Sequence, residues 1–358
     1  MTPISQPERA NLAERLRTLR QETATEVTKE FLERHPDWLE RYGSRAIERG
    51  EQDAIYHLDF LAAAIEAGSS AAFENYARWC ARMLEARGIA PSFVVENFEQ
   101  IGACVGRHLS LEERDFVATL IRAGSAAMAE DLPVLSAQAE PGRLPEQQLF
   151  LQAILSPNRK AATDLALGAL RAGRSIQDLY LHIFQESLYE VGRLWESNKI
   201  TVAQEHMATA ITQSVMAIVY EHIGFPGGAR GKMVITGVEG ELHQIGAHMV
   251  ADVLESDGWD VIFLGTNTPD AGVLAAIDTY QAAAIGISVT ILLNIPQVLR
   301  LVKSIKDRWG ARAPRIILGG AAFRHAPVLA AEVGADAVAL DLAEALAVSR
   351  TWKPEARA

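Results

Sequence analysis

Apolar residues recur at spacings of three and four through the first 130 or so positions, where Ala, Glu, Arg and Leu dominate and β-branched runs are almost absent. That period predicts helices over about Pro7 to Arg34, Gln52 to Ala67, Ala71 to Arg87, Ser92 to Arg107 and Leu111 to Glu130. Breaks at His35-Pro36-Asp37, Gly68-Ser69-Ser70, Gly88-Ile89-Ala90-Pro91 and Ser110 fall where helix caps are expected. Periodicity lapses between Leu132 and Pro145, a stretch that gathers Pro141, Gly142 and Pro145 and reads as a linker. From Glu146 to Ile223 it returns, broken at Ser156-Pro157-Asn158, Gly173 and Asn198-Lys199, and predicts about four helices in a small bundle closed by Phe225-Pro226-Gly227-Gly228.

After Gly231 the pattern changes to short apolar runs alternating with amphipathic segments, as βαβ units require. Five strands are predicted: Met233 to Thr236, Val261 to Leu264, Ala284 to Ser288, Ile316 to Leu318 and Ala337 to Leu340. Their near-continuous apolar character implies a parallel sheet covered on both faces, with helices long enough for right-handed crossovers. The expected architecture is multidomain, α and α/β: a helical domain over 1–138, a four-helix bundle over 146–225 and a doubly wound, five-stranded, Rossmann-like domain over 230–350. In such sheets ligands bind beyond the carboxyl ends of the strands, so chemistry is sought after strands one, three and four.

Composition narrows the function classes. The chain has 358 residues, 49% hydrophobic and 22% charged. No apolar run approaches the roughly 18 residues of a membrane span, and the start lacks a basic-then-apolar signal, so a cytoplasmic protein is expected. With 45 acidic against 34 basic residues the net charge is −11, and no Lys/Arg cluster segregates the positive charge. A direct nucleic-acid partner is therefore not expected. The two cysteines, Cys80 and Cys104, are too far apart for a CxxC pair and read as buried thiols.

The first predicted strand is followed by Gly237-Val238-Glu239-Gly240-Glu241-Leu242-His243-Gln244-Ile245-Gly246, which sets a carboxylate and an imidazole two residues apart before a helix. Neither the GxGxxG nor the GxxxxGK[ST] spacing is present. The third strand ends in Ser288-Val289-Thr290 and the fourth in Gly319-Gly320. Together these three segments resemble the cobalamin-binding domain family over about Gly231 to Ala347. The resemblance implies cobalamin bound with its benzimidazole detached from cobalt and its tail buried beside the sheet. It implies His243 as the lower cobalt ligand, Gly246 admitting the tail near the helix, Ser288 and Thr290 touching the tail, and Gly319 with Gly320 clearing room for it. Glu241 would fix the tautomer of the ligand histidine. The family's commoner residue there is Asp, with Glu seen in its light-sensing branch.

A second pattern lies in the bundle, where Trp195 is followed by Glu205-His206 with W-x9-EH spacing. Over about Leu149 to Val219 this resembles the cap of CarH-type adenosylcobalamin photoreceptors. The likeness implies that Trp195 packs against the adenosyl group and that Glu205 and His206 line the same pocket. A turn at Ser197-Asn198 would bring them to one rim, and the small residues Ala208, Thr209 and Thr212 would leave room. CarH-type proteins place a histidine directly after the tryptophan, where this chain has Glu196, and they carry a winged helix-turn-helix at the amino end, where this chain has an acidic helical domain of unrelated pattern.

In the first domain, Tyr56-His57-Leu58-Asp59-Phe60 and Phe73-Glu74-Asn75-Tyr76-Ala77-Arg78-Trp79 concentrate aromatic residues, with His35 and His108 nearby. The layout resembles that of photocobilins and implies a noncovalent bilin such as biliverdin; the bland reading is an apolar core. The expectation drawn from these resemblances is a regulatory light sensor, not an enzyme. Photolysis of adenosylcobalamin would shift the cap, change association in a homo-oligomer and signal to a protein effector. The alternative is a corrinoid carrier for methyl transfer, as a methyltransferase subunit. A mutase subunit ranks third, since no catalytic barrel accompanies the motifs.

Overall fold

In the computed structural model, residues 5–129, 144–224, 226–227 and 229–352 are described. The linker expected between Leu132 and Pro145 lies almost wholly outside them, as do Phe225 and Gly228. Contacts divide the chain into two compact units, one of residues 1–131 with 291–296 and one of residues 132–290 with 297–358. No helix among the described residues is long and apolar enough to cross a membrane.

The first unit is helical: α1 (Gln6–Arg34), α2 (Asp37–Tyr42), α3 (Ser44–Glu66), α4 (Ser70–Glu85), α5 (Pro91–Gly106) and α6 (Leu111–Met128). The expected boundaries are met within about two residues except at α3, which begins eight residues earlier than its apolar period shows and is preceded by α2. The polar run 44–52 has no apolar stripe, and Gly50 weakens its helical propensity. Tertiary packing overrides this, since a Cβ on Gly50 would fall 2.8 Å from Cγ2 of Thr28, so the glycine permits close approach of α1 and α3. Ser110 caps α6 in a box with Glu113. The core includes Leu12, Leu16, Leu58, Leu61, Phe73, Tyr76 and Phe98.

In the second unit, α7 (Pro145–Leu155) and α8 (Arg159–Arg171) are followed by one long rod. The rod runs through α9 (Ile176–Leu179), a π-helical turn (Tyr180–Gln185) and α10 (Glu186–Glu196); α11 (Val202–Tyr220) completes four rods. The expected bundle is present, and the π turn is the feature periodicity did not reveal. The remaining order is β1 (Lys232–Gly237), α12 (Ile245–Ser256), β2 (Asp260–Phe263), α13 (Asp270–Tyr280), β3 (Ala284–Ser288), α14 (Ile295–Trp309), β4 (Arg315–Gly319), α15 (Pro327–Glu332), β5 (Ala337–Ala339) and α16 (Leu342–Thr351). All five strands match the expected ones to within a residue.

The five strands are parallel in the order β2-β1-β3-β4-β5. The order reverses between β1 and β3, so the switch point lies at their carboxyl ends. β1 is buried along all but its first residue, as a central strand covered on both faces must be. Bundle and sheet domain share one core, in which Phe150, Tyr180, Phe184, Val215 and Val219 cluster with Met233, Ile245, Met249 and Leu346.

Candidate cofactor site

Register brings the three segments together. Gly237 at the end of β1 pairs with Ser288 at the end of β3, and Ser288 with Gly319 at the end of β4, so the loops leave the sheet side by side. The loop after β1 is pinned by Asn267, whose Oδ1 accepts from the Gly240 backbone N–H at 2.8 Å.

Glu241 is fully buried, and both oxygens of its carboxylate accept hydrogen bonds. Oε1 accepts from His243 Nδ1 at 2.7 Å and from the His243 backbone N–H at 2.9 Å, while Oε2 accepts from the Thr290 backbone N–H at 2.8 Å. Burial pushes this carboxyl up, but the bonds from the His243 ring and backbone and from Thr290 outweigh it and hold it at about 2. An ionised carboxylate only accepts, so Nδ1 carries the proton and Nε2 of the neutral ring keeps its lone pair. The His243 side chain is 54% exposed. Leu242 beside it is 74% exposed.

A Cβ placed on Gly246, in the first turn of α12, would meet nothing within 4 Å, so this helix face is open to a ligand. Gly319 and Gly320 differ from that expectation. A Cβ on Gly320 would fall 2.2 Å from the Val289 carbonyl oxygen, and one on Gly319 would fall 2.9 Å from the Ala339 carbonyl oxygen. Their missing side chains are used by neighbouring backbone, which lets the loops after β3, β4 and β5 close on one another.

On the bundle, Trp195 is half-buried in the last turn of α10, and the chain turns through Asn198 in left-handed conformation. Thr201 then caps α11 in a box with Gln204. Glu205 accepts from His206 Nδ1 at 2.5 Å and from Thr209 Oγ1 at 3.0 Å. The His206 side chain is 74% exposed. Thr212 is buried and donates to the Ala208 carbonyl, so it faces the bundle interior.

A family model described as the B12 binding domain matches residues 231–348, and a second model of the same description matches residues 146–220. This is a cobalamin-binding protein. The two matched segments are the α/β domain and the bundle, and the residues present fit the cofactor. A buried carboxylate fixes an exposed imidazole with Nε2 as donor, beside an open helix start at the switch point. Among relatives, the dimethylamine corrinoid protein 1 of Methanosarcina acetivorans is 29% identical over 165 residues, covering 45% of this chain and 76% of that one. The methionine synthase of Mycobacterium leprae is 25% identical over 158 residues, covering 41% of this chain and 13% of that one. The solved monomethylamine corrinoid protein of Methanosarcina barkeri aligns with 22% identity and a TM-score of 0.49, covering 56% of this chain and 94% of that one.

The aromatic groups of the first unit are packed on one another. His57 Nδ1 lies 2.6 Å from the Tyr76 hydroxyl, and Phe60 stacks on Tyr76 with centroids 3.8 Å apart. His57, Phe73, Tyr76 and Phe98 are buried, so their concentration is met by core packing. His35 pairs with Glu96 at 2.8 Å.

Proposed function

We propose that this protein is a corrinoid carrier, a methyltransferase subunit that holds cobalamin at the β1–β3 switch point and presents it to partner enzymes for methyl transfer. The observation that carries this is the Glu241–His243–Thr290 arrangement, read with relatives named as dimethylamine corrinoid proteins. Bound cobalamin would supply a cobalt centre able to accept and release a methyl group. His243 would hold the cobalt through Nε2, and Glu241 would keep the proton on Nδ1 as the demand on the ring changes. Gly246, Ser288 and Thr290 would take the cofactor's tail. Gly319 and Gly320 would act at one remove, shaping the loops around it. Trp195, Glu205 and His206 would cover the upper face, where the apolar ring excludes water and the Glu205 carboxylate accepts hydrogen bonds.

A second reading, a light sensor using adenosylcobalamin, is favoured by one observation. Trp195 and the Glu205–His206 pair fall on either side of a single turn, as the resemblance to CarH-type caps implies. The relatives move the weight to methyl transport, and a bilin in the first unit has no support from the packing there. The experiment is to load the full chain with cobalamin, reduce it, and add a labelled methylated amine with a methyltransferase of that specificity. Label on the cofactor of this chain that passes to a thiol acceptor supports the carrier. A change in spectrum and mass of the adenosylcobalamin-loaded chain under green light, with no methyl uptake, would overturn it in favour of the sensor.

A further inference from the structure

Two bundle hydroxyls reach one helix of the α/β domain. Tyr180 donates to Asp252 Oδ2 at 2.6 Å, and Tyr220 donates to Glu255 Oε2 at 2.9 Å. Asp252 and Glu255 stand three apart on α12 and so share a face. Tyr180 is 0% and Asp252 3% exposed. On its other side Asp252 has His248, whose Nε2 lies 3.6 Å from Oδ1 and whose ring stacks on Phe263 of β2 at 4.8 Å.

Around this pair the seam is apolar, with Met249 and Val250 of α12 and Phe184 of the bundle in the shared cluster. Burial pushes the Asp252 carboxyl up, against the opposing effects of the Tyr180 hydrogen bond and of His248. A well-packed apolar pair would hold such a seam at lower cost, so a buried tyrosine–carboxylate bond adds geometric definition more than adhesion. Local backbone geometry agrees with this. The π turn begins at Tyr180, and its wider winding lets Tyr180 reach α12 while Phe184 stays stacked on Phe150 at 4.6 Å in the bundle core. π turns are uncommon and have poorer hydrogen-bond geometry, so this one is held by its surroundings. α12 begins at Ile245, directly after the Glu241–His243 loop. The seat of the bundle and the start of the site are therefore joined by one rigid helix.

We propose that the Tyr180–Asp252 hydrogen bond, with Tyr220–Glu255 beside it, is the clasp that sets the seating of the bundle on α12, and that Tyr180 and Asp252 are positioning residues for access to the His243 site. The functional half of this rests on the carrier reading, because a carrier has to present one site to more than one partner and its cover has to release. When the clasp opens, both hydroxyl and carboxylate regain water as a partner, so release is reversible.

The test uses the full chain with Tyr180→Phe, which keeps the ring, Asp252→Asn, which keeps the shape, and the double variant. Amide hydrogen exchange is followed with and without bound cobalamin, together with the rate at which cyanide replaces the upper ligand of bound hydroxocobalamin. Exchange in residues 176–196 and in α12 is expected to quicken about tenfold in each single variant, and no further in the double variant. Exchange in α1–α6 stays unchanged, and cyanide entry quickens in parallel. If either single variant fails to fold, Tyr220→Phe, at a half-buried hydroxyl, gives the same comparison with a smaller effect. Unchanged exchange and cyanide entry in folded variants overturn the clasp, even if methyl transfer is found. Quickened exchange and entry in a chain that carries no methyl group leave the clasp standing and remove the carrier reading.

Discussion

The Glu241 carboxylate joins His243 to Thr290: one oxygen accepts from His243 Nδ1 at 2.7 Å and the other from the Thr290 backbone N–H at 2.8 Å. The bond ties the loop after β1 to the loop after β3 across the point where strand order reverses. The acceptor is ionised, so it selects the tautomer of the neutral His243 ring in which Nδ1 carries the proton and Nε2 the lone pair.

Glu241→Gln replaces an acceptor with an amide that can accept at only one of these places and turns a donor toward the other. Affinity for cobalamin should fall about 10- to 100-fold, the usual effect of losing the partner that orients a ligand histidine. Equilibrium dialysis measures it. His243→Ala should in addition change the spectrum of the bound cofactor to that of a cobalt without an imidazole ligand. A spectrum like that of the unmodified protein would remove His243 from the ligand position.

Trp195→Ala should bind hydroxocobalamin about as well as the unmodified chain and lose any preference for forms with a larger upper group, because in the proposed site the contact removed would lie on one face of the cofactor only. Competition between the two forms on the same protein measures this. Equal losses for both would make Trp195 part of the general core of the bundle.

Gly320 has φ +98° and ψ 168°, a region essentially reserved to glycine, and its missing Cβ would sit 2.2 Å from the Val289 carbonyl oxygen. Gly320→Ala should therefore cost at least about 2 kcal/mol, the sum of backbone strain and displacement of the β3 loop. Urea unfolding of the sheet domain gives the value, and a loss below about 0.5 kcal/mol would show that the loop yields freely.

Acid stability of the first unit should carry two opposed slopes. Burial pushes His57 down to about 3, whereas the unfolded side chain titrates near 6.5. Between those values the unfolded chain binds a proton that the folded one does not, so stability falls as pH drops. Burial pushes Asp53 up to about 6 against the opposing charge of Arg49, and its unfolded value is near 3.8. There the folded chain binds the extra proton, so stability falls as pH rises. The two nearly cancel between about pH 4 and 6. Asp53→Asn should expose the His57 slope, and His57→Gln should reverse it, as read by amide exchange in α3 and α4 across that window. Parallel profiles for the two variants would exclude this origin.

By itself, the sequence determined the order of elements and singled out candidate addresses for the chemistry. Strand-length apolar runs and helical periods depend on local burial, and a buried parallel strand such as Met233 to Thr236 cannot be written any other way. Glu241, His243, Ser288 and Thr290 could be singled out as candidates because ligand sites in this class lie just past strand ends. Only the tertiary structure decided which of those addresses meet. Strand order placed β1 beside β3, so Glu241 reaches Thr290 across a separation of 49 residues. It also gave Gly319 and Gly320 a backbone-packing role, and it turned His57, Phe73, Tyr76 and Phe98 inward as core while Tyr56 stayed at the surface. Tyr180 and Asp252 carried no local signal, being an ordinary tyrosine and an ordinary aspartate in helical patterns 72 residues apart. A hydrogen bond between distant positions depends on how two surfaces pack, and periodicity along one chain segment carries no information about the surface it will meet.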